Sequence, residues 1–186
     1  MQISGKKIAI LATHGFEQSE LEVPRDKLKA SGATVHIVSP EKGQIKGWQG
    51  KDWGRPVQVD RPLDEVSADD YDALVLPGGQ INPDLLRVDE KALALIRAFH
   101  SQKKVIAAIC HAPWLLIETG LIKGRKCTSY KSIKTDVINA GGKWEDSKVV
   151  TDQGIVTSRN PDDLDAFSAK IIEEVSEGRH TARSAA

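Results

Sequence analysis

The chain has 186 residues with 26 basic and 26 acidic side chains, so its formal net charge at pH 7 is zero. This balance gives no electrostatic reason to expect nucleic acid or an anionic membrane as a partner, and no apolar run approaches the roughly 20 residues of a membrane span. Residues 1–7 lack signal-peptide architecture, and two cysteines form neither a disulfide framework nor a zinc motif. We expect a cytoplasmic protein with one domain over residues 1–186 and a flexible tail at 177–186.

The first part of the chain alternates apolar strands with a helix. The run at 7–12 is typical of a strand buried on both faces. A helix is predicted over 17–31 and a second strand over 34–39. Residues 43–62 contain four glycines between short alternating pieces, which predicts a small antiparallel excursion at one edge of the sheet. The next buried strand is expected at 71–76, and Pro-Gly-Gly closes it.

The second part continues the alternation. The expected elements are a helix at 89–102, a strand at 104–109, helices near 112–119 and 132–140, strands at 149–150 and 154–157, and a final helix from 161 to about 175. This order predicts an α/β fold with a doubly wound, mainly parallel sheet and helices on both faces, of the flavodoxin-like type.

Cys110 and His111 stand where the strand at 104–109 is expected to turn sharply into a helix. The small residues Ala108 and Ala112 permit such a turn, which holds one side chain at its tip as in the nucleophile elbow of hydrolases. A cysteine there faces a helix N-terminus, which favours the thiolate. The His111 imidazole is then a candidate base or orienting group. A buried cysteine followed by a chance histidine is the alternative.

Three predicted strands end in residues with suggestive chemistry. The first leads to the segment 13–17, the third to Gly78 and Gly79, and the fourth to Cys110. In open α/β sheets, sites form beyond the carboxyl ends of the strands. If these strands are neighbours, Glu17, the Gly78–Gly79 backbone and Cys110 converge on one pocket.

These pieces together resemble the ThiJ/PfpI family of intracellular proteases and protein deglycases, within the class I glutamine amidotransferase-like superfamily. The resemblance runs in family order from about residue 7 to 175. It is carried by residues 15–17, 76–79, 108–112, 124–126, 128–130, 139–142, 149–152 and 157–161. A histidine directly after the cysteine indicates the PfpI-type branch in particular.

The resemblance implies a set of catalytic roles. Cys110 corresponds to the nucleophile, His111 to the catalytic histidine and Glu17 to the buried glutamate that contacts the thiolate. The N–H groups of Gly79 and His111 correspond to the oxyanion hole. In the PfpI-type branch an acidic residue of a neighbouring subunit orients the histidine, and Asp84 is the candidate here, although its loop is one residue longer than usual. The family forms dimers and hexamers, and no cofactor or metal is implied.

Other residues near these segments are secondary candidates. His14 and Trp114 are predicted to line the substrate pocket with Gly78, although solvent exposure for His14 and packing for Trp114 are alternative interpretations. Glu17, placed beside a thiolate, is expected to shift toward its protonated form. Cys127 has no acid or helix terminus nearby in sequence and is predicted to be structural.

The resemblance implies a cofactor-free cysteine enzyme that acts on reactive dicarbonyls or their protein adducts, of the glyoxalase or deglycase type. Two alternatives stay open. One is an intracellular peptidase acting on peptides. The other is a redox sensor or chaperone-like stress protein, because an exposed thiolate also forms sulfenic and sulfinic acids. A nucleotide site is not indicated, since Gly78-Gly79 lacks the spacing of phosphate-binding loops.

Overall fold

A computed structural model describes residues 1–178, in which strands and helices alternate around a seven-stranded sheet. The strands are β1 (Lys7–Leu11), β2 (Thr34–Ser39), β3 (Gln44–Gln49), β4 (Asp52–Gln58), β5 (Arg61–Pro62), β6 (Ala73–Leu76), β7 (Val105–Ile109), β8 (Lys126–Cys127), β9 (Lys143–Trp144), β10 (Val149–Asp152) and β11 (Ile155–Ser158). The helices are α1 (Gln18–Ala30), α2 (Ile81–Leu86), α3 (Glu90–Ser101), α4 (Pro113–Glu118), α5 (Lys134–Asn139) and α6 (Leu164–Glu177).

The sheet has the strand order β10-β11-β7-β6-β1-β2-β5, and every neighbouring pair is parallel except β10 with β11. The predicted mainly parallel, doubly wound sheet is therefore confirmed. From β1 the chain moves outward to β2 and β5, and it then returns to β6 on the other side of β1. This change of direction opens a crevice at the carboxyl ends of the central strands, where α/β folds bind ligands.

The central strands are apolar along their whole length because successive side chains point to opposite faces and both faces are buried. In β1, Ile8 and Ile10 pack on the face that also buries Leu21 of α1 and Phe167 of α6. The intervening residues of β1 face the opposite layer, which contains Phe99 of α3. Because helices cover both faces, neither set of side chains needs to be polar.

The predicted antiparallel excursion is confirmed as a hairpin of β3 and β4, but it forms a separate two-stranded sheet and does not extend the edge of the main sheet. The short parallel strand β5 forms the edge, whereas the hairpin lies over the loop that follows β1. Gly15 donates its N–H to Lys46 O at 2.8 Å, and Trp48 donates its N–H to Phe16 O at 2.7 Å. The hairpin therefore brings Trp48 to the carboxyl end of the sheet.

Helix α2 was not predicted, because its six residues have no clear apolar periodicity. Tertiary hydrogen bonds hold it instead. The buried Asn82 accepts the N–H of Thr13 at 2.7 Å and donates to Pro77 O at 2.9 Å. The predicted helix at 132–140 begins with a 3₁₀ turn, Lys131–Ile133, before α5.

Within residues 1–178, none of the helices combines the length and apolar character needed to cross a bilayer. Of the predicted flexible tail, residues 179–186 lie outside the described residues.

Candidate active site

Cys110 occupies a strained turn between β7 and α4. Its φ of 64° lies in the left-handed region, which costs a non-glycine residue about 1–2 kcal/mol. Two backbone hydrogen bonds hold this conformation, from Cys110 N–H to Ser158 O at 3.1 Å and from Tyr130 N–H to Cys110 O at 2.8 Å. The residue is only 5% exposed, and it lines a cavity at the carboxyl ends of the strands. Such strain concentrates at functional positions.

The His111 imidazole contacts the thiol directly. Its Nδ1 lies 3.1 Å from Cys110 Sγ, and its Nε2 lies 3.1 Å from Ser132 Oγ. Tyr130 stacks on the ring at a centroid distance of 4.7 Å, and Trp114 packs edge-on at 5.2 Å. Burial lowers the pKa of His111, so the ring is held neutral and able to accept a proton.

Hydrogen bonding from two backbone N–H groups, those of Gly79 and His111, acts to lower the pKa of the Cys110 thiol. Gly79 has a φ of 78°, and its backbone is packed against the loop after β1. A Cβ at Gly79 would lie 2.8 Å from Glu17 N and closer still to Gly15 O. Only glycine therefore fits here. The role of these two N–H groups as an oxyanion hole stays a prediction.

The carboxyl group beside the thiol belongs to Glu20. This residue is 0% exposed, its Oε2 accepts the N–H of Gly78 at 2.9 Å, and the carboxyl group interacts with the Cys110 thiol. Burial first, and the charge of Glu17 second, raise the pKa of Glu20 to about 8. Among residues 1–178 its Oε1 is buried without a hydrogen-bond partner, which further disfavours a negative charge on this carboxyl group.

The assignment of Glu17 to the thiol is wrong. Glu17 is the N-cap of α1, and its extended backbone turns the carboxylate back onto Ser19, whose hydroxyl donates at 3.0 Å. Glu17 lines the cavity but is only half-buried. Glu20 lies in the first turn of the helix, on the same buried face as Leu21 and Leu28, and its carboxyl group reaches the carboxyl end of the sheet at Gly78.

The electrostatics also differ from the expected free thiolate. Burial, and then the negative charge of Glu20, raise the pKa of the Cys110 thiol, while the N–H groups of Gly79 and His111 act in the opposite direction. The six-residue α4 does not outweigh this loss of solvation. Cys110 and Glu20 are therefore both favoured in their protonated forms at rest, with the neutral His111 ring in contact with the sulfur.

The cavity above Cys110 has a volume of about 550 Å³ and mixed walls. Glu17, Gly79 and Cys110 meet there, as the convergence of strand ends predicts. Apolar surface comes from residues that the sequence did not indicate as lining residues: Trp48, Ile81, Tyr130 and Pro161.

The structure places several secondary candidates elsewhere. His14 accepts the N–H of Lys46 at 3.0 Å and so supports the hairpin rather than the cavity wall. Trp114 donates to Asp136 at 2.9 Å, and it packs against His111, which lines the cavity, without lining the cavity itself. Gly78 holds Glu20 instead of substrate, and a Cβ there would lie 2.6 Å from the Cβ of Cys110. Asp84 is exposed on α2, so the role assigned to it requires a second subunit and stays a prediction.

Sequence reasoning missed Glu20, although a signal was present. A carboxylate on the apolar face of an amphipathic helix needs a reason, because burying it without a partner is costly. Ser132 and Tyr130 gave no such signal, since their positions depend on the return of the chain to Cys110 after α4. No group of three or more His, Cys, Asp and Glu side chains among residues 1–178 has the arrangement of a metal site.

The similarity of this chain to known proteins extends over almost its whole length. Residues 6–174 match the model of the DJ-1/PfpI family. The protein named "Deglycase PfpI" from Pyrococcus furiosus is 45% identical over 167 residues, which are 90% of this chain and 98% of the relative. "Putative cysteine protease YraA" from Bacillus subtilis is also 45% identical, over 90% of this chain and 96% of the relative. The crystal structure of Drosophila melanogaster DJ-1beta has a TM-score of 0.83 and 29% identity, with 95% of each chain covered.

Proposed function

The chain belongs to the DJ-1/PfpI family, and we propose that it is a cysteine-dependent hydrolase of the stress response that acts on reactive dicarbonyls or their adducts on proteins. The observation that carries this proposal is the arrangement around Cys110. A strained cysteine has a neutral imidazole at 3.1 Å, two N–H donors at its sulfur and a protonated carboxyl group beside it. The imidazole can activate the thiol for carbonyl addition, and N–H donors stabilise the negative charge that develops on the carbonyl oxygen.

The first step follows from the protonation states. Cys110 Sγ attacks the aldehyde carbon of methylglyoxal, and the thiol proton passes to His111 Nδ1. The carbonyl oxygen becomes an alkoxide, which we expect the Gly79 and His111 N–H groups to stabilise, and it then takes the proton from the His111 imidazolium to give a hemithioacetal and a neutral ring. Because thiol and imidazole are both neutral beforehand, the proton moves only as the sulfur attacks, which is general base catalysis.

The second step needs no external oxidant or reductant. A proton leaves the former aldehyde carbon and returns at the neighbouring carbon through an enediol, which converts the hemithioacetal to a lactoyl thioester on Cys110. Water then attacks the thioester and releases lactate with a free thiol. The net reaction adds one water to methylglyoxal, and glyoxal gives glycolate in the same way. His111 and Glu20 are the groups placed to move these protons.

The size of the cavity supports adducts as substrates in addition to free dicarbonyls. Methylglyoxal has only five heavy atoms and would occupy a small part of the 550 Å³ cavity. A modified side chain of a peptide would also contact the apolar walls formed by Trp48, Ile81 and Tyr130. Hydrolysis of such an adduct restores the unmodified side chain.

Peptide cleavage is the second candidate, and the similarity to a relative named as a cysteine protease favours it. A second cavity of about 490 Å³ shares Tyr130 with the first and offers room for an extended chain. Peptidase activity additionally requires His111 to protonate an amine leaving group. The redox-sensor alternative is weakened, because Cys110 is buried and burial raises its pKa.

We propose a cytoplasmic homo-oligomer in which Asp84 of a neighbouring subunit approaches the site, in line with the PfpI-type pattern.

The test compares methylglyoxal and a methylglyoxal-modified arginine peptide as substrates of the wild-type chain, Cys110→Ser and Cys127→Ser. Cys127 is the matched control because it is fully buried and does not line the cavity. We expect lactate formation from both substrates, abolished only in Cys110→Ser. Hydrolysis of unmodified casein without lactate formation would favour the peptidase.

A further inference from the structure

The second nitrogen of the catalytic imidazole has a partner within the same chain. His111 Nε2 lies 3.1 Å from Ser132 Oγ, whereas Nδ1 faces the thiol at the same distance. Asp84, the residue expected to orient the ring from another subunit, is exposed on α2. Resting on the proposed function, we propose that Ser132 is a positioning residue that holds His111 with its proton on Nε2 and so keeps Nδ1 free to accept the thiol proton.

The backbone around Ser132 is fixed relative to Cys110. Tyr130 donates its N–H to Cys110 O at 2.8 Å, and Ile133 donates its N–H to Tyr130 O at 3.1 Å. Ile133 is also buried in the core beside α4. Ser132 lies between these two anchors in the 3₁₀ turn Lys131–Ile133. The hydroxyl is therefore carried by a segment whose position is tied to the nucleophile itself.

Packing and hydrogen bonding restrain different properties of the imidazole. The stacked Tyr130 ring, inclined by 25°, and the edge of Trp114 fix the plane of His111. Neither ring distinguishes the two neutral tautomers. The thiol proton of Cys110 needs a free lone pair on Nδ1, which places the ring proton on Nε2, and the Ser132 hydroxyl then accepts the hydrogen bond from that N–H.

A hydroxyl has a different effect from a carboxylate at this position. It accepts from the neutral ring and from the imidazolium without adding a negative charge, so it does not raise the pKa of His111 as an aspartate would. The ring stays neutral at rest and takes up its proton during attack by the sulfur. Ser132 therefore suits the base role that the protonated Cys110–Glu20 pair requires.

The experiment measures the tautomer directly, by long-range ¹H–¹⁵N NMR of the imidazole in the full chain, together with the pH profile of kcat. In the wild-type chain and in Ser132→Thr we expect the proton on Nε2. In Ser132→Ala we expect a mixture of tautomers and a kcat about fivefold to tenfold lower with little change in KM, as for loss of one hydrogen bond. In Ser132→Asp the acidic limb of the profile should move to higher pH.

Ser101→Ala is the matched control, because Ser101 is exposed and precedes the amino end of β7, whereas the site lies beyond its carboxyl end. An unchanged tautomer and kcat in Ser132→Ala would overturn the proposal. A loss of the Nε2 tautomer in Asp84→Asn but not in Ser132→Ala would also overturn it and would assign the role to Asp84. Because the spectrum needs no turnover, it tests Ser132 even if neither dicarbonyls nor adducts are substrates.

Discussion

Replacing Glu20 by Gln should remove a specific pH dependence of stability. The folded chain raises the pKa of this carboxyl group from 4.5 to about 8, so the native state keeps a proton that the unfolded chain releases. The unfolded state then binds fewer protons, and the free energy of unfolding falls as pH rises between these two values. At 1.36 kcal/mol per pH unit, the fall amounts to about 5 kcal/mol. Glu20 is fully buried, so solvent screening does not reduce this value.

Glutamine keeps an oxygen for the Gly78 N–H but has no titratable proton. We therefore expect urea denaturation of Glu20→Gln to lack this contribution, with the difference between variant and wild type growing by several kcal/mol from pH 4.5 to 8. Other ionisable groups are common to both chains and cancel in the difference. In Glu17→Gln most of the wild-type slope should persist, because burial is the larger cause of the Glu20 shift. Parallel stability curves for Glu20→Gln and wild type would refute a protonated Glu20.

Three further substitutions test the geometry of the site. Gly79→Ala should lower turnover by about 100-fold, because a Cβ would lie 2.8 Å from Glu17 N and displace one N–H donor; turnover that matches wild type would contradict its role. Cys110→Gly should have a free energy of unfolding about 0.5–1 kcal/mol higher than Cys110→Ala, because a φ of 64° strains alanine but not glycine. Equal urea midpoints for the two variants would argue against strain. Trp48→Ala should raise KM about tenfold for a modified peptide but little for methylglyoxal, and equal effects on both substrates would contradict a wall that contacts the peptide.

The sheet was predictable because burial on both faces leaves continuous apolar strands between helices with clear periodicity. The β1 run and the helix that Asp89 caps show this directly, since Asp89 accepts the N–H of Lys91 at 2.9 Å. Helix α2 was not predictable in this way. Its position depends on Asn82, whose partners are distant in the chain or lie in the preceding loop.

The site was predictable only in part. The turn at Cys110 could be anticipated from small residues between a strand and a helix, and Gly79 from the need for a close backbone approach. The choice between Glu17 and Glu20 depends on which carboxylate is the cap and which lies on the buried face, and the short motif Gly15-Phe16-Glu17 does not separate them. Local sequence also favoured a thiolate, whereas burial in the folded chain favours the thiol.

The central claim is that Cys110 forms a covalent adduct with the substrate while the neutral His111 imidazole accepts the thiol proton. Rapid acid quench of the enzyme with methylglyoxal, followed by peptide mass spectrometry, tests this claim directly. We predict that one methylglyoxal equivalent will appear transiently on Cys110, will be absent from Cys127 and will form much more slowly in His111→Ala. Turnover to lactate without any adduct on Cys110 would contradict the account.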